Sequence, residues 1–410
     1  MNRYDMTCYR IVAITIIILL ATNLMQCADN DIAHKYKVEI SLDDIKIIYN
    51  NNTPKYSGDI FSYNEVFTIV QSEHRPETLL NGPRDVIRAS NGHYYVNDAG
   101  NNRIAIYDDG GYYISEINRV GDGPGEYRNI HQIAEVNNTI MLVDGNTRKL
   151  LFYDYSGIYL NTIRYNNAVR DVYYTNDEMI VAIKRYAMTR GVMRYEQKEL
   201  NVMRVTGDTI ATIIAKPTAY EFIPINTQGF YMQPYGERSS FYVHPSKGIL
   251  FSNGIEPYLE WYDYYGDNTV KIYIELDRIQ VGKNDIIVFE KYLDEYIMRN
   301  PSGLSARVKR SYKMPKYRPY WDEIIVDDRD YYWLHVPDIP HHRNIINEPK
   351  KYIVLSPEGE YLGCTIPPIS REWTINDGYY STIYSDTDSG LINVKIYAIN
   401  SNCDSLIYPN

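Results

Sequence analysis

Three cationic side chains occupy the same place in successive segments of the sequence. Arg84, His131 and Arg170 each stand immediately before a short strand-like run that opens a repeating unit. Guanidinium and protonated imidazole groups bind carboxylates and sulfates through charge-assisted hydrogen bonds. We predict that these three side chains face one rim of the fold and form a ligand-binding site for an anion. The alternative is that each cation pairs with a neighbouring acid, such as Asp85 or Asp171.

Units further along the chain carry other residues at this position. Ser240 and Asp322 are the equivalents in two later units.

The sequence shows no recognisable pair of a general acid and a general base. Active sites on closed β-folds are assembled from distant loops, so this lack is only weak evidence against catalysis. We predict no catalytic residue, no cofactor and no metal ligand.

Two polar motifs invite a chemical interpretation but are better explained by structure. Asp98, Asn101 and Arg103 lie within six positions, and we interpret them as a turn fixed by Asp and Asn and paired with Arg. Gly121, Gly123 and Gly125 are followed by no helix whose N-terminus would bind phosphate. We predict that they form the loop that returns the chain to the next inner strand.

A basic segment at 303–318 contains no acid and includes two tyrosines. It predicts contact with an acidic glycan, a lipid surface or nucleic acid, or else a solvated loop. The 410-residue chain has a formal net charge of −10, and no nucleic-acid partner is expected. His335, His341 and His342 near Asp338 lack the i, i+4 spacing of a metal site on a helix.

The elements that must position these residues form an internal repeat. A short apolar strand followed by a glycine turn recurs five times, ending at Gly111, Gly157, Gly207, Gly266 and Gly359. Further strand-like runs precede these hairpins, which gives units of four short strands. The 43 tyrosines against 8 phenylalanines also favour half-buried strand surface.

Strands from both chain ends complete a further unit. Residues 379–384 and 391–399 are expected to pair with an N-terminal strand near 65–71, which closes a ring and removes its free edges. We therefore predict an all-β, six-bladed β-propeller, with seven blades as the alternative.

One segment has helical rather than strand spacing. Asn284 and Asp285 cap a run whose apolar residues fall three or four apart, which predicts a short helix at about 284–300. The predicted organisation is a single propeller domain over 59–403 with an insertion at 277–320.

The N-terminus predicts export. Residues 1–26 have basic flanks and an apolar run too short to span a membrane, as in a signal peptide. The segment ending at Cys27 resembles the lipobox of bacterial lipoproteins, although Gln26 departs from the usual small residue. We predict lipidation of Cys27, with an incidental cysteine as the alternative. A tether and lead-in over 27–58 would then join the propeller to the membrane.

The other two cysteines of interest are Cys364 and Cys403. In an exported protein they are predicted either to form a disulfide or to stay as two buried thiols.

Two motifs resemble a known family. Residues 94–111 resemble the NHL repeat, with Val96, Asp98, Asn101, Arg103 and Ile104 on its V-x-D-x-x-N-x-R-I pattern. The sequence GDGPGEY at 121–127 resembles the G-x-G-P-G-E-[YF] signature of six-bladed β-propeller lipoproteins of Gram-negative gut bacteria.

A later stretch, 314–336, resembles a late blade of those proteins, although Arg329 and Asp330 replace its usual glycine. The resemblance covers about residues 60–400. It implies a propeller in the cell envelope, at the outer membrane or facing the periplasm, with the cell surface as an alternative. NHL propellers elsewhere act as sensor heads, as binders of RNA or protein, and occasionally as lyases.

Ligands of propellers usually sit at one mouth of the central channel. The leading hypothesis is a cell-envelope lipoprotein that binds a small ligand, a glycan or a partner protein there, through Arg84, His131 and Arg170. The alternatives are a propeller lyase or hydrolase acting on carbohydrate or peptide, and an assembly platform in an envelope complex. The sequence leans towards binding, because no acid and base pair or metal cluster stands out.

Overall fold

The computed structural model describes residues 33–165, 172–175, 179–190, 193–204, 209–213, 220–224, 230–232, 234–235, 240–299, 312–337, 349–370, 372–385, 392–403, 406 and 408. The statements below concern these residues. The predicted lipidation site Cys27 and the predicted rim residue Arg170 lie outside them.

The first three strands of the described chain are β1 (Tyr36–Ile40), β2 (Lys46–Asn50) and β3 (Phe61–Thr68). β1 pairs with β2, whereas β2 and β3 also pair with strands that come much later in the sequence. A single 3₁₀ turn, Pro76–Thr78, follows before the repeating part of the fold begins.

The first two blades are regular four-stranded antiparallel sheets. The first contains β4 (Pro83–Arg88), β5 (Tyr94–Asp98), β6 (Arg103–Tyr107) and β7 (Tyr113–Ile117). The second contains β8 (Gln132–Val136), β9 (Thr139–Asp144), β10 (Lys149–Tyr153) and β11 (Tyr159–Arg164). In each, the first strand is innermost and the fourth is outermost.

The two central strands of the first blade are buried on both faces. Tyr94 and Val96 of β5 pack towards the last blade of the chain, while Tyr95 packs towards the second blade. Alternate side chains therefore serve two interfaces, which explains why β5 and β6 are buried at every position. The predicted glycine turn is also required sterically, because Gly111 has φ +81° and a Cβ there would meet the Phe67 ring at 2.6 Å.

The next sheet departs from the blade pattern, and we call it the branched sheet. It runs β12 (Val172–Tyr174), β13 (Met179–Arg190), β14 (Met193–Arg204), β16 (Tyr220–Pro224) and β17 (Phe230–Met232), with β15 (Thr209–Ile213) also paired to β14. Its two central strands are 12 residues long, about twice the length of the strands in the regular blades.

The third and fourth blades return to four short strands. The third contains β18 (Ser240–His244), β19 (Gly248–Ser252), β20 (Tyr258–Tyr262) and β21 (Asn268–Ile274). The fourth contains β22 (Glu323–Val326), β23 (Tyr332–Val336), β24 (Lys351–Leu355) and β25 (Tyr361–Thr365).

A helical insertion separates these two blades, as predicted. Helix α1 spans Lys283–Arg299 and buries Phe289 and Leu293. Ile286, which the sequence pattern placed on the same apolar face, is 36% exposed because the helix turns that position towards solvent. Asp285 is buried and accepts hydrogen bonds from Gly282 N, Tyr235 Oη and Arg318 Nη2.

The closing blade joins the two ends of the chain. It contains β26 (Glu372–Asn376), β27 (Tyr379–Ser385) and β28 (Ile392–Ser401), and β3 pairs antiparallel with β28 as the outermost strand. This confirms the predicted closure. The β1–β2 hairpin extends the third blade instead, with β2 parallel to β21; its residues fall in the segment predicted as tether and lead-in.

The propeller fold is confirmed, but the predicted six or seven regular blades are not. Five sheets have the regular blade form, and the branched sheet does not, because its long central strands and its extra strand pair break the four-strand unit. The innermost strands of neighbouring blades are tied by hydrogen bonds: Ile133 N to Asp85 Oδ2 (3.2 Å), Ile324 N to Ser240 Oγ (2.8 Å) and Thr374 Oγ1 to Val86 O (2.6 Å). No helix among the described residues is long and apolar enough to cross a membrane.

Candidate functional site

The rim at which the innermost strands begin is held, in the first blade, by a buried ion pair. Arg103 is 6% exposed and donates through Nε to Asp98 Oδ2 (2.9 Å) and through Nη2 to Leu79 O (2.8 Å). The other oxygen of Asp98 accepts from Asn81 N (2.7 Å), and Asn101 Nδ2 also donates to the carboxylate (2.7 Å). The cluster fastens the loop that leads into β4, as the structural interpretation of the motif predicted.

The second blade uses a lysine for the same purpose. Lys149 is 2% exposed, and its Nζ donates to the carbonyl oxygens of Asp122 and Glu126, both at 3.0 Å. Asp144 Oδ2 accepts from Arg128 N at 2.6 Å. The loop at 121–127 is thereby clamped as the return to β8, which is the role predicted for its glycines.

The predicted rim residues lie at these strand starts but are not equally available. Arg84 is exposed in β4 and has no hydrogen bond or ion pair within the described residues. Asp85 is tied to Ile133 N of the second blade. His131 precedes β8, and its Nδ1 accepts a hydrogen bond from Gly145 N at 3.2 Å. One nitrogen of this imidazole is therefore committed to the backbone.

The later equivalents need one correction. Ser240 Oγ accepts from Ile324 N as Asp85 Oδ2 accepts from Ile133 N, so Ser240 matches Asp85 rather than Arg84. The alignment of innermost strands from the sequence therefore placed Ser240 one residue out of register, because the hydrogen bonds between blades that reveal the match are not visible in the sequence. Asp322 stands directly before β22, as predicted.

A carboxylate and imidazole pair marks the rim of the fourth blade. His335, at the end of β23, donates through Nδ1 to Asp322 Oδ1 at 2.5 Å, and both side chains are mostly buried. Within the described residues, His335 Nε2 is buried and has no hydrogen-bond partner. A neutral imidazole that donates through Nδ1 keeps a lone pair on Nε2, so this nitrogen is free to accept a hydrogen bond.

Aromatic and acidic side chains surround the Asp322–His335 pair. The His335 ring lies 5.4 Å from that of Tyr352, whose Oη donates to Glu323 Oε2 at 3.2 Å. Burial, followed by the charge of Glu323, raises the pKa of Tyr352, so its hydroxyl stays protonated. Trp373 of the closing blade lies 5.2 Å from Tyr352, edge to face.

A shallow crevice opens between the fourth and closing blades beside this cluster. Lys350, Ser370 and Trp373 line it, and the buried rings of Tyr352 and Tyr380 lie behind them. The crevice is small, about 10 Å³, and it places a cation, a hydroxyl and an indole at the surface, which are groups that bind hydroxylated ligands. Together with Asp322, His335, Glu323 and Tyr352 it forms what we call the fourth-blade rim site.

Sequence reasoning considered His335 only with its near neighbours. The partner that matters is Asp322, which lies across the β22–β23 hairpin, where Glu323 and His335 are register partners. The predicted bounds of those two strands could have revealed this pair, because the register of a hairpin brings residues at the start of one strand beside residues at the end of the other. His341, His342 and Asp338 lie outside the described residues, and no group of potential metal ligands occurs in the part that is described.

The structure tests part of the predictions for the basic segment and for the two cysteines. Of the basic segment, 312–318 is described; Lys316 lies over the Tyr317 ring, while Arg318 is paired with Asp285. Cys364 is a free thiol, so the disulfide considered between Cys364 and Cys403 is not formed.

Comparisons with known proteins support the fold. A family model described as "Domain of unknown function (DUF4934)" matches residues 42–278. A Bacteroides fragilis chain described as an exported protein has a TM-score of 0.50 at 12% identity, covering 87% of this chain and 99% of the other. At that identity the likeness shows the fold alone.

Two further structures are more distant. A Bacteroides vulgatus member of the duf4221 family has a TM-score of 0.45 at 12% identity, over 84% of this chain and 100% of the other. An inactive virginiamycin B lyase from Staphylococcus aureus, solved with quinupristin, has a TM-score of 0.39 at 11% identity, over 82% and 99%. Among curated proteins, nothing matched.

Proposed function

The chain belongs to the DUF4934 family. From the chemistry of the site, we propose that it is a cell-envelope binding protein for a hydroxylated ligand such as a glycan. The ligand would sit at the channel mouth, on the fourth-blade rim site. Arg84, His131 and Arg170 would add a cationic sector for a ligand that also carries a carboxylate or sulfate.

The observation that carries this proposal is the unpartnered Nε2 of His335. Buried polar atoms are rarely left without a hydrogen bond, because the lost hydration is not recovered. A ligand hydroxyl that donates to Nε2 would satisfy it, while Glu323 and Tyr352 supply neighbouring polar groups and Trp373 supplies a ring face.

The test is binding of a glycan and peptide panel to the purified protein, followed by thermal shift and by analysis for released product. We expect at least one glycan to bind, and we expect the His335→Gln variant to lose at least about tenfold in affinity.

His244 provides a matched control at the other end of the fourth-blade interface. Its Nε2 is hydrogen-bonded to Asp330 Oδ1 (2.8 Å), and its Nδ1 accepts from the backbone of Ser246 and Lys247. Both nitrogens are occupied, so His244→Gln should leave glycan affinity unchanged. Equal losses in the two variants, or no binding by any panel member, would contradict the proposal and favour an assembly platform.

A lyase or hydrolase is the second candidate, and the Asp322–His335 pair is the observation that favours it. A carboxylate that accepts from Nδ1 orients an imidazole and stabilises its protonated form, which prepares Nε2 to act as a general base. Turnover of a panel member by the wild type, abolished in His335→Gln and much reduced in Asp322→Asn, would favour this candidate.

We also propose the finer architecture and location predicted from the sequence. The branched sheet would take the place of a sixth blade, since Tyr173 of β12 packs edge-on against Phe241 of β18 in the third blade. An experimental structure tests this directly. Export and lipidation at Cys27 are tested by palmitate labelling and membrane fractionation, with Cys27→Ala expected to lose both the label and the membrane association.

A further inference from the structure

A second cavity lies away from the rim site, between the insertion and the fourth blade. One wall is made by the two arms of the insertion, Leu276 to Ile279 going out and Arg318 to Tyr320 coming back. The other wall is the face of β23, β24 and β25 that includes Val336, Ile353 and Tyr361. The cavity has a volume of about 170 Å³.

The two arms are fixed rather than loosely apposed. Arg318 N donates to Ile279 O (2.9 Å), and Val281 N donates to Lys316 O (3.1 Å). Tyr320 N donates to Gly254 O of the third blade (2.8 Å). The wall is therefore preformed, as small-molecule sites usually are.

The volume and lining restrict the ligand to a compact apolar body. A cavity of about 150 Å³ is known to admit benzene, so the present one suits a ring or a branched chain with one small polar head. Leu276, Pro319, Val336 and Ile353 supply the apolar lining.

The polar groups of the lining select the head group. Arg318 donates through Nη2 to Asp285 Oδ1 (2.7 Å), but its Nε is buried and has no hydrogen-bond partner in the described part of the chain. Lys351 is a second cation on the lining, and Asp277, the one carboxylate there, is exposed to solvent. A donor without a partner beside a second cation fits a carboxylate better than a neutral head.

The cavity also carries a chemical reporter. Cys364 is a free, partly exposed thiol on the lining, and its Sγ lies 3.6 Å from Tyr361 Oη. A ligand that occupies the cavity would shield this sulfur from alkylation.

We propose that this cavity binds a small monocarboxylate with a ring or branched hydrocarbon body, its head group accepting from Arg318 Nε. The site is independent of the proposed function at the rim, because none of its lining residues belongs to the rim site.

Benzoate is the probe, with benzamide as its neutral counterpart of the same shape. Binding to the purified protein is measured by calorimetry, and alkylation of Cys364 by iodoacetamide is followed by peptide mass spectrometry. We expect benzoate to bind once per chain with Kd on the order of 0.1 to 1 mM, as befits so small a ligand. Benzoate should slow Cys364 alkylation over the same concentration range, and benzamide should bind at least about tenfold more weakly.

Two variants keep the proposal falsifiable. Arg318→Lys retains the charge opposite Asp285 but removes Nε, and it should weaken benzoate at least about tenfold. Ile279→Trp places an indole at the exposed edge of the cavity and should slow Cys364 alkylation without any ligand. Arg84→Ala, at the rim, should leave benzoate binding unchanged.

Absence of benzoate binding and of Cys364 protection at about 10 mM, some tenfold above the weakest expected Kd, would overturn the proposal. So would equal affinity for benzamide, or full affinity in Arg318→Lys. Each of these results leaves glycan binding at the rim untouched, so failure here is distinguishable from failure there.

Discussion

The first and fourth blades each bury a carboxylate, but they stabilise it by different means. In the first blade, Asp98 is fully buried against the guanidinium of Arg103. In the fourth, Asp327 is 3% exposed and its hydrogen-bond donors are neutral: Trp333 Nε1 (2.9 Å), Tyr408 Oη (2.7 Å) and two backbone amides. Burial raises the pKa of Asp327 to about 6.

The same contrast appears between the two histidines of the rim. His131, leading into the second blade, accepts a backbone hydrogen bond through Nδ1, whereas His335 in the fourth blade donates through Nδ1 to Asp322 and has a buried Nε2 with no hydrogen-bond partner among the described residues. The early blades therefore use their polar groups to fix loops. In the fourth blade, burial raises the pKa of Asp327, and His335 Nε2 has no hydrogen-bond partner among the described residues; perturbed groups of this kind are common at functional sites.

The largest effect should come from breaking the first-blade ion pair. Arg103→Ala leaves Asp98 buried without its cation, and we expect it to lower the free energy of unfolding by about 3–5 kcal/mol. Urea unfolding followed by tryptophan fluorescence measures the loss. Ligand binding at the rim of the fourth blade should persist where the variant is folded.

Arg128→Ala is the matched control, because it removes an exposed ion pair with Asp122 on the neighbouring loop. We expect its unfolding curve to overlay that of the wild type, since exposed pairs contribute little. If the two variants behaved alike, the first blade would not depend on burial of its ion pair.

The second effect is a pH dependence specific to the fourth blade. The pKa of Asp327 is raised from its ordinary value of 3.8 to about 6 in the folded protein, so between these values the folded state holds a proton that the unfolded state releases. The stabilisation from this proton is fully present below the unfolded pKa and is lost as pH rises through 6. On going from pH 7 to 5, the wild type should gain about 1 kcal/mol relative to Asp327→Asn.

The measurement is urea unfolding of both proteins at the two pH values. If Asp327→Asn does not fold, proton release on unfolding of the wild type at pH 5 provides the same information, and we expect this group to release about one proton. A difference between the two proteins that does not change with pH would mean that Asp327 stays ionised.

The smallest effect on stability should come from the rim histidine. His335→Gln removes the bond to Asp322, but the Asp322 side chain is 15% exposed at the rim, whereas Asp98 is fully buried, and we expect a loss of about 1 kcal/mol. The unfolding midpoint measures it. A loss as large as that of Arg103→Ala would make His335 part of the framework, and the contrast between the two blades would disappear.

Local repetition was enough to predict the propeller and its ring closure, and helical spacing was enough to predict the insertion. Glycine turns such as that at Gly111 are fixed by backbone conformation and by close packing against Phe67, so they leave a signal in the sequence. The branched sheet was missed because strand length and pairing partners depend on neighbours far along the chain. β14, for example, pairs with β13, β15 and β16.

The candidate site was harder to predict for the same reason. The first-blade cluster was interpreted correctly because Asp98 and Arg103 are close in sequence and pair within one hairpin. The Asp322–His335 pair joins two strand ends, and the crevice beside it needs the closing blade. The cavity lined by Arg318 and Lys351 needs an insertion folded against a blade that follows it, and no local pattern encodes that arrangement.

The pairing of the first strands has a consequence for the timing of folding. β2 needs β21, with Ile47 beside Lys271, and β3 needs β28, with Phe61 beside Ser401. During synthesis, β2 must therefore wait for its later partner until residue 274 is available, and β3 must wait until residue 401 is available. Such long sequence separations slow folding and prolong the exposure of strand edges with unpaired backbone groups. Premature release of a shortened chain should therefore lead to aggregation rather than to a smaller stable propeller.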